Sequence, residues 1–364
     1  MDIFIRIMKI PKVPASLIVE YTGSLRTAKI MHKYIYDTVY AKVVPNKILL
    51  YGQVQSGKTK NMIDFIKHMN YRGNRIFILL PNLKLAVNQF SNRLENENIN
   101  NDIFTSNTTK FNSNIVLLMN NTYQIQQLKK ISINTNFTLI IDECDICAKD
   151  LDPYLSNNHY LTNQLHVTAT PFTLKEKYNK IVKMTEPDNY YGLDKLQIKY
   201  THDYSIIIED FLGKSHGMLL INKYYRIMDM KSLSYEISLR YPSIPVILLS
   251  SDKIVHLNGR GRLLSYSSVS DIIDRYKEHS HLIFIAHRYA SRCISYVSSD
   301  YSRHLTHQVL NIKDVTNFIQ SLRICGVYND KPNLSLYLPE YRERVDKALV
   351  KYHKNIHKEL DYLI

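Results

Sequence analysis

Cysteine is scarce in this chain, tryptophan is absent, and no apolar run is long. Four cysteines occur in 364 residues. Cys144 and Cys147 form a lone C-x-x-C, with Cys293 and Cys325 far from it. A structural zinc centre takes a second ligand pair at short range. None is visible, so these side chains read as buried free thiols. No stretch approaches the roughly 20 apolar residues that a membrane-crossing helix needs, and no membrane partner is expected. The start, MDIFIRIMKIPKVP, is apolar but is interrupted by Arg6 and Lys9 and lacks a small-residue cleavage site. It reads as a strand or arm and not as a secretion signal, so an intracellular, non-secreted chain is the expectation. Also absent are a short-period repeat and a long low-complexity tract. No base-reading module appears, and no acidic-lysine cluster or His-rich metal site of a kind that cuts phosphodiesters.

What is present bounds the class. An apolar share of 45% and a charged share of 22% describe a globular chain long enough for two domains. The net charge is +14, with a pI near 9.3. Such a balance favours a polyanionic partner through phosphate neutralisation and counterion release, although a solvated basic surface gives the same count. The 28 tyrosines and the richness in Asn, Ile and Lys point to an AT-rich coding genome, viral or plasmid-borne. That bias speaks of origin and not of chemistry.

The first half alternates short apolar runs with amphipathic stretches. NKILLYG, RIFILLP, NIVLLMN, FTLIIDE and QLHVTAT read as buried strands, with helices such as TKNMIDFIKHMN and LKLAVNQFSNRL between them. The second half repeats the theme with HGMLLIN, PVILLSS, HLIFIAH and LSLYLPE. This alternation predicts α/β architecture, two lobes each with a mostly parallel sheet flanked by helices. The turn-rich segment TEPDNYYGLDK, near residues 185–195, places the boundary between a lobe over residues 1–190 and a lobe over residues 191–364. The last 25 residues, from Glu340, read as a basic amphipathic helix.

The strongest local signal is GQVQSGKT: Gly52, Gln53, Val54, Gln55, Ser56, Gly57, Lys58 and Thr59. It follows a predicted strand and opens a predicted helix, the context required by the phosphate-loop pattern G-x-x-x-x-G-K-[ST]. Backbone amides wrap the phosphates, and the helix N-terminus adds a favourable dipole. Lys58 is expected to reach the β- and γ-phosphates of ATP and Thr59 to bind Mg2+. Downstream, LIIDECD delivers an acidic pair from an apolar strand. Asp142 is the candidate Mg2+ ligand and Glu143 the base for the attacking water. An apolar strand ending in Asp-Glu is commonplace alone and gains meaning only behind a phosphate loop.

Third in order comes VTATPF, Val167 to Phe172. As bare sequence it is a turn before proline. In this order the residues resemble helicase superfamily 2, whose first lobe carries a Thr-Ala-Thr or Ser-Ala-Thr turn at this point. The resemblance implies two RecA-like lobes and gives Thr168 and Thr170 the role of coupling the nucleotide site to the second lobe. More narrowly, the chain is similar to the helicase-like domain termed "endonuclease, Z-one type". The counterparts here are Val54–Thr59, Thr168–Phe172, the stretch around Pro187 to Gly192, Ser291–Cys293 and Gln320–Gly326. The likeness is strong only in the first half. Cys293 and Leu322 stand where that pattern has glycine, and a second arginine at the end of the last element is missing.

A developing phosphoryl charge needs a cation from the second lobe. FIQSLRICG offers Gln320 and Arg323, with Arg323 the candidate finger, and IAHRYASRCISY offers Arg292 as the fallback. Pro81, Asn82 and Gln89 occupy the stretch where the family holds a nucleic-acid backbone; a helix start with an exposed face would look the same. The resulting expectation is an ATP- and Mg2+-dependent motor on nucleic acid, DNA ahead of RNA, without sequence preference, in a replication or repair assembly. Two other classes stay open: a P-loop ATPase that remodels complexes without unwinding, and a non-unwinding scaffold.

Overall fold

The computed structural model describes residues 18–21, 46–70, 74–105, 107–128, 133, 135–147, 158, 160–174, 177–222, 226–249, 255–258, 268–286, 294–311, 314–330 and 332–348. In the first half these form β1 (Ile18–Tyr21), β2 (Asn46–Tyr51), α1 (Lys58–Asn70), β3 (Arg75–Leu80), α2 (Lys84–Asn96), β4 (Asp102–Ile103), β5 (Ile115–Met119), α3 (Thr122–Leu128), β6 (Phe137–Asp142), α4 (Cys144–Cys147), β7 (Leu161–Thr168) and β8 (Lys180–Met184). The strands join in one sheet, ordered β1-β8-β2-β7-β6-β3-β5-β4, and every pair is parallel.

Sequence periodicity explains why both faces of this sheet are covered. Successive strand residues point to opposite faces, and here both sets are apolar. Ile48 and Leu50 of β2 pack with Ile76, Ile78 and Leu80 of β3 against Met62, Phe65 and Ile66 of α1. The intervening Leu49, Tyr51, Phe77 and Leu79 pack on the other face with Ile125 and Leu128 of α3. The strands are thus near-continuous apolar runs, as a doubly covered parallel sheet requires.

The second half builds the same way from β10 (Gln197–Tyr200), α5 (Tyr204–Leu212), β11 (Gly217–Asn222), α6 (Ile227–Arg240), β12 (Val246–Leu249), β13 (Val255–Leu257), α7 (Val269–Arg275), β14 (His281–Ala286), β15 (His307–Leu310), α8 (Val315–Ser321) and β17 (Ser335–Leu338). The order is β10-β17-β15-β11-β14-β12-β13, parallel except for the β12–β13 pair at the edge. Asp203 caps α5, Asp314 caps α8, and Ser268 with Asp271 forms a capping box on α7. Between the sheets, β9 (Tyr190–Tyr191) pairs antiparallel with β16 (Gly326–Val327). This ribbon ties the connection between the lobes to the segment after α8.

Among the described residues no helix is long and apolar enough to cross a membrane. Residues 342–348 are helical, and the rest of the expected C-terminal helix lies outside the described residues, as does MDIFIRIMKIPKVP.

Candidate functional site

In the first sheet β7 lies between β2 and β6, so the carboxyl ends of the three strands, where Tyr51, Asp142 and Thr168 stand, share one edge. That edge is where open parallel sheets bind ligands. After Tyr51 the chain turns through Gly52, whose N–H donates to Thr168 O at 3.3 Å. A Cβ on Gly52 would stand 3.0 Å from Ser56 Oγ and 3.1 Å from Met184 Cβ, leaving no comfortable room for a side chain. The Ser56 N–H and hydroxyl both bond Gln53 O, at 3.3 and 2.8 Å, closing the loop on itself. Gln55 at φ +56° and Gly57 at φ +99° bend the backbone through left-handed conformations, which Gly57 adopts without penalty. α1 then starts at Lys58, with Asn61 N bonding Gly57 O at 3.2 Å. The first-turn amides of a helix have no carbonyl of their own to bind, and here they follow directly on the loop.

Lys58 Nζ donates to Gly52 O at 3.0 Å and Gln53 O at 2.6 Å. Burial lowers the Lys58 ammonium to about 8, against the upward pull of Glu143, Asp142 and Asp145 and with a downward push from Arg323. Across from it, burial and the neighbouring Glu143 hold the Asp142 carboxyl well above the usual carboxylate range, while Lys58 pulls it down. Glu143 N donates to Asp142 Oδ1 at 3.0 Å. Glu143 itself is buried, at φ +49°. A non-glycine residue held there at a strand-to-helix turn carries conformational strain, which functional sites commonly store.

Thr168 and Thr170 are both fully buried. Thr168 Oγ1 donates to Asp145 Oδ1 at 3.0 Å and accepts from Thr170 N at 3.0 Å. Gln320 Nε2 of the second lobe then donates to Thr170 Oγ1 at 3.0 Å. An unbroken run of hydrogen bonds, its middle link made by the Thr170 N–H, thus leads from the acidic turn of the first lobe to α8 of the second.

Arg323, just beyond α8, is buried. Its guanidinium donates to Gln320 O and, at 3.4 Å, to Ile294 O, within the field of Lys58. The structure therefore brings Gly52–Thr59, Asp142, Glu143, Thr168, Thr170, Gln320 and Arg323 to one cleft. Arg292 lies outside the described residues, as do Ser291 and Cys293. Cys144 and Cys147 are buried in the sheet core beside Leu49 and Tyr51, and no group of three or more metal-ligating side chains occurs among the described residues.

Gln89 does not lie on an exposed helix face: it is buried, and its Oε1 accepts from Ser295 N of the second lobe at 3.3 Å. On the next turn of α2, Arg93 donates to Ser295 Oγ at 3.0 Å and lies in the field of Tyr301 and Asp142. Of the two readings open for this stretch, the exposed helix face does not hold at Gln89, which makes an inter-lobe contact. Asn82 is exposed and accepts from Asn121 at 3.1 Å. Arg93, Ser295, Asp145 and Tyr190 were not singled out from sequence. For Asp145 a signal existed, since it stands three residues after Asp142 and can share its side of the turn. For the other three the contacts join segments more than 100 residues apart, which no local pattern reports.

Mg2+ suits the donor set. The Thr59 hydroxyl and the Asp142 carboxylate are hard oxygen ligands of the kind Mg2+ takes when it also binds phosphate. A divalent cation there would also relieve the repulsion between Asp142 and Glu143.

No protein-family model matches the chain, and no curated protein does. Solved structures do match. RecG, seen bound to a three-way DNA junction, is 14% identical with a TM-score of 0.59, covering 99% of this chain and 48% of RecG. The chain thus spans about half the length of RecG. Dbp5 of S. cerevisiae, bound to RNA and ADP BeF3, is 11% identical with a TM-score of 0.57, covering 92% of each chain. Mss116p, bound to ssRNA and AMP-PNP, is 13% identical with a TM-score of 0.59, covering 93% of this chain and 80% of its own. At such identities the likeness is one of fold: two RecA-like lobes.

Proposed function

We propose that this chain is an ATP-dependent motor of the superfamily 2 type, which couples hydrolysis in the inter-lobe cleft to movement along or unwinding of nucleic acid. Residues 1–190 act as the ATP-binding lobe and 191–364 as the lobe that completes the site. The observation that carries this reading is the hydrogen-bonded run Asp145–Thr168–Thr170–Gln320, because a simple nucleotide-binding lobe has no use for a polar connection to a second one.

In the reaction, the amides of Gly52–Thr59 and the Lys58 ammonium hold the phosphates. Mg2+, held by Thr59 and Asp142, supplies charge neutralisation when bound with the nucleotide. Glu143 takes the proton of a water that attacks the γ-phosphorus, and the bond to the ADP oxygen breaks. Arg323 offsets the charge that spreads over the transferred group in the transition state.

The basic net charge supports a nucleic-acid track read without sequence preference. We place DNA ahead of RNA, in a replication or repair assembly. The test is the ATPase rate with single-stranded DNA, duplex DNA and RNA across a salt series, followed by strand displacement. Stimulation that weakens with salt is expected. Turnover indifferent to every nucleic acid would contradict the motor reading and leave an ATPase that works on some other target.

A further inference from the structure

The phosphate loop touches the second lobe directly, through a residue that the reaction above uses only for its backbone. The Gln55 side-chain amide stands 3.3 Å from Arg323 O and 3.0 Å from Cys325 O. Both neighbours are acceptors, so the amide nitrogen is the atom that faces them and donates to both. Gly326 packs against the same side chain, its Cβ position lying 3.4 Å from the amide.

A second contact runs alongside. Tyr190 OH donates to Val54 O at 2.7 Å, and Tyr190 pairs with Val327 in the β9–β16 ribbon. The ribbon is extended by Tyr328 N to Asn189 O at 3.1 Å and Asn189 Nδ2 to Tyr328 O at 2.9 Å. Val54 and Gln55 thus rest on the strand that follows the arginine-bearing turn. Gln55 also holds a left-handed backbone that glycine would adopt at no steric cost, so the side chain has to repay that strain through its contacts.

We infer that Gln55 is a positioning residue: its amide clamps the Arg323–Cys325 turn to the phosphate loop, so that the arginine is aimed only when the lobes are docked. The inference rests on the ATPase reading above. Placement errors of about 1 Å can cost on the order of 100-fold in rate, which makes two hydrogen bonds at the base of the arginine a sensitive control point.

The test uses the full chain. Gln55→Gly suits the backbone and removes the amide, while Gln55→Glu keeps the size but turns oxygen toward the two carbonyls. In both, kcat for ATP should fall roughly 10- to 100-fold, with KM for ATP and thermal stability little changed. Combined with Arg323→Ala, Gln55→Gly should add nothing further, since both act through one group. An unchanged kcat, or losses that multiply in the double variant, would overturn the inference. Should the wild-type chain hydrolyse no ATP under any condition, the ATPase reading fails separately. Hydrogen exchange at residues 324–327 then decides the clamp: faster exchange in Gln55→Gly supports it, and identical exchange overturns it.

Discussion

Asp142, half-buried, and Glu143, buried, are adjacent carboxylates, and that arrangement has consequences which can be measured residue by residue. Because the folded state holds Asp142 above its ordinary value of 3.8, this group binds more proton in the native chain than in the unfolded one above 3.8. Its contribution to stability therefore falls as pH rises through that range, against the opposite contribution of the buried His166 and His307, whose values burial lowers. Asp142→Asn removes this slope, and each unit of upward displacement is worth about 1.4 kcal/mol. Denaturation at pH 5 and pH 7.5, without nucleotide or divalent cations, should show that the variant loses less stability, or gains more, than wild type on going to the higher value. Equal slopes would mean that Asp142 is solvated.

Glu143 answers a different question. Glu143→Gln leaves Asp142, the proposed Mg2+ ligand, and the loop Gly52–Thr59 in place but removes the proposed proton acceptor. Loss of a general base typically costs on the order of 10²–10⁴ in rate, so this variant should bind ATP analogues normally and accumulate unhydrolysed ATP in single-turnover experiments. Hydrolysis near the wild-type rate would make Glu143 a structural acid.

At the scale of elements, the strands were legible where their chemistry is simple. NKILLYG, RIFILLP and FTLIIDE became β2, β3 and β6 almost residue for residue, because both faces of a parallel sheet want apolar side chains. β15 was missed for the opposite reason. Its HQVL carries two polar residues in mid-sheet, and Gln308 is tolerated there because its amide donates to Ser321 O at 2.6 Å and accepts from Ile324 N at 3.0 Å. That bond set also fixes the end of α8 and the turn bearing Arg323. The order of motifs in the first lobe was readable for the same local reason, since each sits at the end of its own strand. The junction between the lobes was not: Gln89 and Arg93 meet Ser295, and Tyr190 meets Val54, only after two lobes fold and dock.

α8 supplies the element-scale prediction. Gln320→Ala removes the donor to Thr170 while leaving the loop Gly52–Thr59 untouched. Basal ATP hydrolysis should change little, whereas stimulation by nucleic acid should drop by roughly 5- to 150-fold, the usual span of coupling between two sites. Comparing rates with and without single-stranded DNA checks it, and full stimulation in the variant would show that the lobes communicate by another route.

At the scale of the whole molecule, the proposed motor needs one catalytic centre shared by two lobes. Each lobe has its own doubly covered sheet; two apolar clusters lie in the first and one in the second, while a fourth reaches from the second lobe to Val54, Leu85 and Ala169 of the first, and Lys58 and the carboxylates come from one lobe and Arg323 from the other. The measurement that tests this most directly is single-turnover hydrolysis beside analogue affinity in Arg323→Ala, with saturating nucleic acid. A group that meets charge only in the transition state shows in turnover and not in binding. The account expects a loss of roughly 10³–10⁵ in rate, the range such arginines supply, with affinity for a non-hydrolysable ATP analogue held within a few-fold. A rate within a few-fold of wild type would contradict it, and so would an affinity loss that matches the loss in rate.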